Sequence, residues 1–355
     1  MNKLLSNFRI NNKQVGKNKN TYIIFEAGPT HNGLFSAKKL VDMARISGAD
    51  AIKFQILDKN LTSDPNQIFK YKYLTSKHKI KIMHEPLEKI LKRREMKMSD
   101  WEKLSKYCYL KKITFFATAS NFSEIDFLKN IGCDTIKIAS ADINHYPLLD
   151  YAAETGLSVQ IDTGMADLNE INEAVKLISK KNNKIIIHHC PSGYPADTND
   201  INLNIIKTLR SKFNCPIAYS DHSPGYDMDI AAVALGANIL EKTITFDKTT
   251  KSPEHMMSLE FKDMKRFVQN IRKLDIALGK FDKKISFEQK IGRKLLRRSI
   301  FLEKDAKINQ KLKDTHVTYR RPEKGMSPDF FFKNKNSLLK KNLKKGSILK
   351  IRDVK

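Results

Sequence analysis

The sequence predicts a (β/α)8 TIM barrel followed by a small β-rich C-terminal domain. Three observations lead there. Eight short apolar, β-branched runs, each bounded by Gly, Pro, Asn or Ser, read as buried strands. Amphipathic helical patterns alternate with them over ~260 residues, the size and rhythm of a barrel. After Leu278-Gly279-Lys280 the rhythm stops. The runs are continuous rather than alternating, as expected of strands covered on both faces. A doubly wound open sheet is the competing architecture, but eight runs with polar residues at their ends favour the barrel.

The first run is Tyr22–Ala27. A helix over Phe35–Ser47 follows, with Leu40, Met43, Ala44 and Ser47 on one stripe and Ser36 placed to cap it. The second run, Ala51–Leu57, precedes a long basic segment, Asp58–Met98, expected to be an elaborated loop over the active face. Ser99 would cap a helix to Leu110 that turns Trp101, Leu104 and Cys108 inward. The remaining strands are Ile113–Thr118, Thr135–Ala139, Ser158–Thr163, Lys184–His189, Pro216–Ser220 and Asn238–Phe246. The helices that alternate with them are Phe122–Ile131, Leu148–Glu154, Leu168–Lys180, Leu203–Lys212, Met228–Leu235 and Phe261–Leu278. The barrel domain is then residues 1–280, and residues 281–355 form the small domain. That domain shows β-like runs at Arg298–Leu302, His316–Tyr319 and Ser347–Ile351, and an apolar Phe330-Phe331-Phe332 cluster.

Composition narrows the function. The 355 residues carry 41% hydrophobic side chains, which excludes global disorder. No run approaches the ~18 apolar residues of a membrane span, and no signal-peptide apolar region opens the chain. Four cysteines (Cys108, Cys133, Cys190, Cys215) without a paired spacing suit a reduced, cytoplasmic protein. The net charge of +26 is uneven: residues 262–355 hold 29 Lys+Arg against 10 Asp+Glu. Phe69–Lys97 adds ten basic residues against three acidic ones. Compositional bias plus steering of an anionic substrate explains this better than a nucleic-acid surface.

Barrel chemistry sits at the C-terminal ends of strands. There the sequence offers Glu26, then Lys53 and Gln55 on one side of their strand, Thr118, Lys137 with Ser140 and Asp142, Asp162, His188-His189-Cys190, Ser220-Asp221-His222, and Glu241-Lys242. Lysines buried in barrel strands need anionic partners. Those partners are either a substrate phosphate or carboxylate, or an internal acid such as Glu241 beside Lys242. No Walker A, GxGxxG or HExxH pattern is present, so nothing argues for a nucleotide or a zincin centre.

In order along the chain, these segments resemble the sialic acid synthase family of nonulosonic acid synthases (N-acetylneuraminate, legionaminate and pseudaminate synthases). The resemblance rests on Phe25-Glu26-Ala27-Gly28-Pro29-Thr30-His31-Asn32-Gly33, Lys53-Phe54-Gln55, Lys137-Ile138-Ala139-Ser140 and Thr163-Gly164-Met165. It continues through His189-Cys190-Pro191-Ser192-Gly193-Tyr194-Pro195 and Ser220-Asp221-His222-Ser223. In the tail, Tyr319-Arg320-Arg321-Pro322-Glu323-Lys324-Gly325-Met326 resembles the signature of the antifreeze-like (SAF) domain that closes these enzymes.

The resemblance implies condensation of phosphoenolpyruvate (PEP) with an N-acylated amino sugar, aided by Mn²⁺ or Mg²⁺. Lys53, Thr118, Lys137, Ser140, Ser192 and Ser220 would hold PEP. Glu26 would be the acid/base and His222 a metal ligand. Gln55, near the metal, and Asp142, Tyr194, Glu254 and Arg321 would meet the sugar. Arg321 would come from the other subunit of a homodimer that exchanges its SAF domains. Three departures stand out. Thr243 occupies the family's second metal-histidine position, with His255 a possible replacement. Asp162 stands where the family has a phosphate-contacting serine. Asp142 and Glu254 are size-swapped against the family's pair, which points to an acceptor other than N-acetylmannosamine, such as a diacetamido sugar. The alternatives are a PEP–sugar aldolase of the 3-deoxy-ulosonate type and a catalytically inert barrel used as a binding module.

Overall fold

The computed structural model describes residues 3–57, 62–64, 66–280 and 282–355. Asp58 and Phe281, where the long loop and the tail were expected to begin, lie outside the described residues. The chain separates into two compact units, Met1–Gly279 and Lys280–Lys355.

The first unit opens with a hairpin that the sequence reading did not anticipate. β1 (Asn7–Ile10) pairs antiparallel with β2 (Lys13–Gly16) around Asn11, whose φ of 47° suits asparagine in a tight turn. Ile10 and Val15 are fully buried in the barrel's core cluster. The hairpin's polar groups engage residues at the starts of barrel strands: the Asn11 amide donates to Asp134, and Asn11 Nδ2 donates to Thr114 Oγ1. Lys13 pairs with Asp50, and Asn238 Nδ2 donates to the Gly16 carbonyl. The hairpin therefore caps the N-terminal end of the barrel.

The barrel follows. β3 (Tyr22–Glu26) leads through α1 (Leu34–Ser47) to β4 (Ala51–Gln55). A second hairpin, β5 (Ile68–Leu74) with β6 (Ile80–Pro86), and the short α2 (Leu87–Lys92) fill the basic segment that was expected to be a loop. Then α3 (Met98–Leu110), β7 (Thr114–Thr118), α4 (Phe122–Asn130), β8 (Thr135–Ile138), α5 (Tyr146–Glu154) and β9 (Ser158–Asp162) alternate. α6 (Leu168–Ser179), β10 (Ile185–His189), α7 (Thr198–Ile201) and α8 (Ile205–Lys212) come next. β11 (Ile217–Asp221), α9 (Asp227–Leu235), β12 (Ile239–Thr243) and α10 (Phe261–Leu278) complete the series. β3, β4 and β7 through β12 form one closed barrel, with β12 pairing back onto β3, and every pair is parallel. A doubly wound sheet is thereby excluded.

All eight barrel strands and their helices coincide with the expected ones to within a few residues; the caps differ. α1 is capped by Gly33, and Ser36 sits inside the first turn, where its hydroxyl accepts from the Asn32 amide and donates to the Gly33 carbonyl. α3 begins at Met98 behind Lys97, so Ser99 is helical and not a cap. Trp101, Leu104 and Cys108 do face the core.

The second unit contains α11 (Phe287–Leu296), the antiparallel pair β13 (Ser299–Leu302) and β14 (Val317–Arg320), and α12 (Pro328–Lys333). Ile300, Leu302, Leu312, Met326, Leu339 and Leu349 form its own core. α11 was not expected, although a Ser286–Gln289 capping box marks its start. Ser347–Ile351 contributes a single bridge, Phe301 to Ile348, rather than a strand. Of the phenylalanine cluster, Phe331 is buried and Phe332 is exposed.

Candidate active site

Strand side chains alternate between the barrel interior and the helical layer. That rule sends Glu26, Lys53, Thr118, Lys137, Asp162, His188, Ser220 and Glu241 inward, and their hydrogen bonds link them into one network. Lys53 pairs with Glu26 and, at 3.0 Å, with Glu241 Oε1; it also donates to Thr118 Oγ1 at 3.2 Å. Lys137 reaches Glu241 Oε1 at 2.7 Å, Asp162 Oδ2 at 2.9 Å and Ser220 Oγ at 3.1 Å. Gln55 Nε2 donates to Glu26 Oε2 at 3.4 Å.

Of the two kinds of partner open to the strand lysines, internal acids are present for all three, but Glu241 is not the partner of Lys242. Adjacent strand residues point to opposite sides, so Glu241 bridges the two interior lysines. Lys242 faces outward onto Asp221, with Asp229 3.8 Å away. Both lysines of the interior already have acid partners.

Desolvation governs the electrostatics here. Burial raises the Glu26 carboxyl, against the pull of Lys53. Glu241 goes the other way: burial would raise it, but Lys137 and Lys53 together hold it ionised far below the ordinary range. Burial, with Lys137 adding to it, lowers His188 to about 3, so its imidazole is neutral. Its Nε2–H then donates to Gln160 Oε1 at 2.8 Å.

Above this layer lie the loops. His222 is half-buried. Its Nδ1 lies 3.1 Å from the Pro191 carbonyl, which can only accept, so Nδ1 carries the proton and Nε2 keeps its lone pair. The Tyr194 ring packs on the imidazole at 5.0 Å, and Phe69 of β5 packs on Tyr194 at 6.0 Å. The second hairpin thus reaches the same place; the Lys72 amide also donates to the Tyr194 carbonyl at 3.4 Å. Glu254, at a positive φ of 71°, is raised to about 8 by burial and then by the charge of Glu26. Burial also raises Asp142.

Two glycines in the motifs are dictated by space. A Cβ on Gly28 would fall 2.6 Å from the Gln55 amide and 2.7 Å from Glu26 Oε1. A Cβ on Gly164 would fall 2.5 Å from the Cys190 carbonyl oxygen and 2.8 Å from Ser192 Oγ.

His255 has polar partners at both ring nitrogens. Arg94 can only donate, and its Nη2 lies 3.3 Å from His255 Nε2; the other ring nitrogen bonds Thr245 Oγ1 at 2.7 Å. Thr243 itself is buried at the end of β12. Ser140 and Asp142 lie in a one-turn 3-10 helix (Ser140–Asp142) that follows β8, and Ser192 lies in the loop after β10, at the same end of the barrel. Arg321 belongs to the second unit and is exposed.

Sequence reasoning missed Arg94. It is buried and donates to the His31 carbonyl, to Asn32 Oδ1 and, at 2.9 Å, to Ser252 Oγ. It therefore ties the loop after β3 to the loop that carries Glu254. The run of lysines and arginines around it gave no local signal that one of them is interior.

Residues 40–283 match the NeuB family. The chain belongs to this family. Among its relatives, N,N'-diacetyllegionaminic acid synthase of Legionella pneumophila is 35% identical over 97% of this chain and 98% of its own length. The enzyme of the same name from Campylobacter jejuni is 32% identical over 94% and 99%. The crystal structure of N-acetylneuraminic acid (sialic acid) synthetase from Leptospira borgpetersenii, in complex with citrate, superposes with a TM-score of 0.72. It shares 32% identity over 82% of this chain and 96% of its own. Membership in NeuB makes this chain a C–C bond-forming synthase of nonulosonic acid biosynthesis. Among the described residues no helix is long and apolar enough to cross a membrane.

Proposed function

We propose that this NeuB-family chain condenses PEP with an N-acylated amino sugar, giving a nine-carbon 2-keto acid and inorganic phosphate. The observation that carries the proposal is the pair of interior lysines, Lys53 and Lys137, ringed by hydroxyl and carboxyl groups beneath a rim of His222, Tyr194 and Glu254. Lys137, Lys53, Thr118, Ser220, Ser140 and Ser192 take the phosphate and carboxylate of PEP. The C3 of PEP attacks the C1 aldehyde of the open-chain sugar. Water adds at C2, and phosphate departs by C–O cleavage. Glu26, protonated more readily than an ordinary carboxyl, moves the proton at the reacting centre. Gln55, Asp142, Tyr194 and Glu254 orient the sugar, and Arg321 joins them from the SAF-like domain of a partner subunit.

His222 suits a divalent metal: its tautomer is fixed by a carbonyl and its free Nε2 lone pair is available. Among the described residues no group of three or more His, Cys, Asp and Glu forms a cation cage. A divalent cation held by His222 would take water and substrate oxygens as its remaining ligands, donors that suit Mn²⁺ or Mg²⁺. When bound, such a metal supplies Lewis-acid polarisation of the aldehyde.

The names of the relatives, N,N'-diacetyllegionaminic acid synthases, favour a diacetamido sugar as acceptor, in keeping with the size-swapped pair Asp142 and Glu254. The test is phosphate release from PEP against a panel of N-acyl and diacetamido hexosamines. Turnover with one of them is expected. Silence with every sugar, with and without Mn²⁺, overturns the proposal.

A further inference from the structure

Asp162 ends β9 inside the barrel, and its partners are the groups that the proposed function assigns to the phosphate. Its Oδ2 lies 2.9 Å from Lys137 Nζ and its Oδ1 lies 3.2 Å from Ser220 Oγ. An ammonium group has three N–H donors. Those of Lys137 are all taken, by Glu241, Asp162 and Ser220. An entering phosphate must displace one of them.

The three partners are not equally replaceable. Glu241 bridges both interior lysines and is the more deeply buried acid. Ser220 is itself wanted by the phosphate. Asp162 touches one lysine, and its side chain is 13% exposed against 6% for Glu241. Its bond to Ser220 is also contested. Neutral His188 offers Nδ1 as an acceptor 2.8 Å from the same hydroxyl, which has a single hydrogen to give. Phosphate and the Asp162 carboxylate cannot share Lys137 without strong like-charge repulsion.

We infer that Asp162 is an internal occupant of the phosphate seat: it leaves Lys137 and Ser220 as the phosphate of PEP enters and returns when inorganic phosphate departs. It is a specificity-determining residue. It holds affinity for phosphate down and speeds release of that product. The inference rests on the assignment of Lys137 and Ser220 as the phosphate seat.

The test uses the full-length chain with Asp162→Asn, close to isosteric, and Asp162→Ser. Calorimetric titration with inorganic phosphate and steady-state inhibition by it are the readouts. Removing the carboxylate charge should tighten phosphate binding about tenfold or more and lower the KM for PEP. The KM for the sugar should stay within about twofold, a split that a merely structural role would not produce. Phosphate affinity that is unchanged or weaker in both variants overturns the inference. A third variant, Lys137→Met in the Asp162→Asn background, separates the two readings. If phosphate binding needs Lys137 but ignores Asp162, only this inference falls. If binding tightens in Asp162→Asn yet ignores Lys137, the seat lies elsewhere, and both this inference and the phosphate assignment fall.

Discussion

Lys137 shows how a buried charge does two jobs. It neutralises Glu241 and Asp162 in the resting protein and is assigned the phosphate in the occupied one. Lys137→Ala should abolish PEP turnover. It also leaves the Asp162 carboxylate without its cation and Glu241 with Lys53 alone, which costs about 3–5 kcal/mol of stability. Denaturant unfolding together with PEP binding by titration checks both; unchanged PEP affinity refutes the assignment. Glu254 supplies a pH signature. Its folded value is raised to about 8 from 4.5. The folded state therefore keeps a proton that the unfolded chain gives up. The stability this contributes is complete below pH 4.5 and is lost as pH rises through about 8. If protonated Glu254 donates to the sugar, kcat/KM for the sugar falls above pH 8, and Glu254→Gln removes that limb. A limb that survives in Glu254→Gln belongs to another group.

At the level of elements, the strands announced themselves and their partners did not. Continuous apolar runs fixed the eight strands, and the two-residue period put Lys53 and Gln55 on one side; the same period separates Glu241 from Lys242, against the pairing offered for them. Which acid meets which lysine depends on the closure of the barrel. Lys137 and Glu241 are 104 residues apart and bond across the interior, a contact no local pattern encodes. The same holds for Arg94, whose burial depends on loops contributed by His31 and Ser252. The two hairpins were illegible for another reason. β5 and β6 interleave apolar residues with Lys70, Lys72, Lys81, His84 and Glu85, and β1 and β2 are only four residues each, so neither hairpin carries a continuous apolar run. Loop geometry makes its own prediction. Gly28→Ala drives a methyl group into the Gln55 backbone and the Glu26 carboxylate. It should cost about 1–3 kcal/mol from overpacking and most of kcat, since the acid/base is displaced. A chain of wild-type stability and activity would show that the loop relaxes freely.

At the scale of the whole molecule, exchange of the C-terminal unit between subunits makes a prediction of its own. Residues 280–355 have their own core, and Arg321 stands exposed on that unit. If subunits exchange these domains, an Arg321→Ala chain and a Lys137→Ala chain should complement each other. Each mixed dimer then holds one site with a wild-type barrel and a wild-type tail. Co-refolded or co-expressed mixtures should regain activity that neither variant shows alone. Without exchange, no mixed dimer holds an intact site, and the mixture stays as inactive as its parts.

The hairpin of β1 and β2 has a consequence for traffic. Ile10 and Val15 add an apolar floor beneath an interior that strand side chains already fill, so the N-terminal end offers no way in. Whatever reaches Lys137 enters past Tyr194 and His222 and must return by the same door. Substrate arrival and phosphate departure therefore share one mouth.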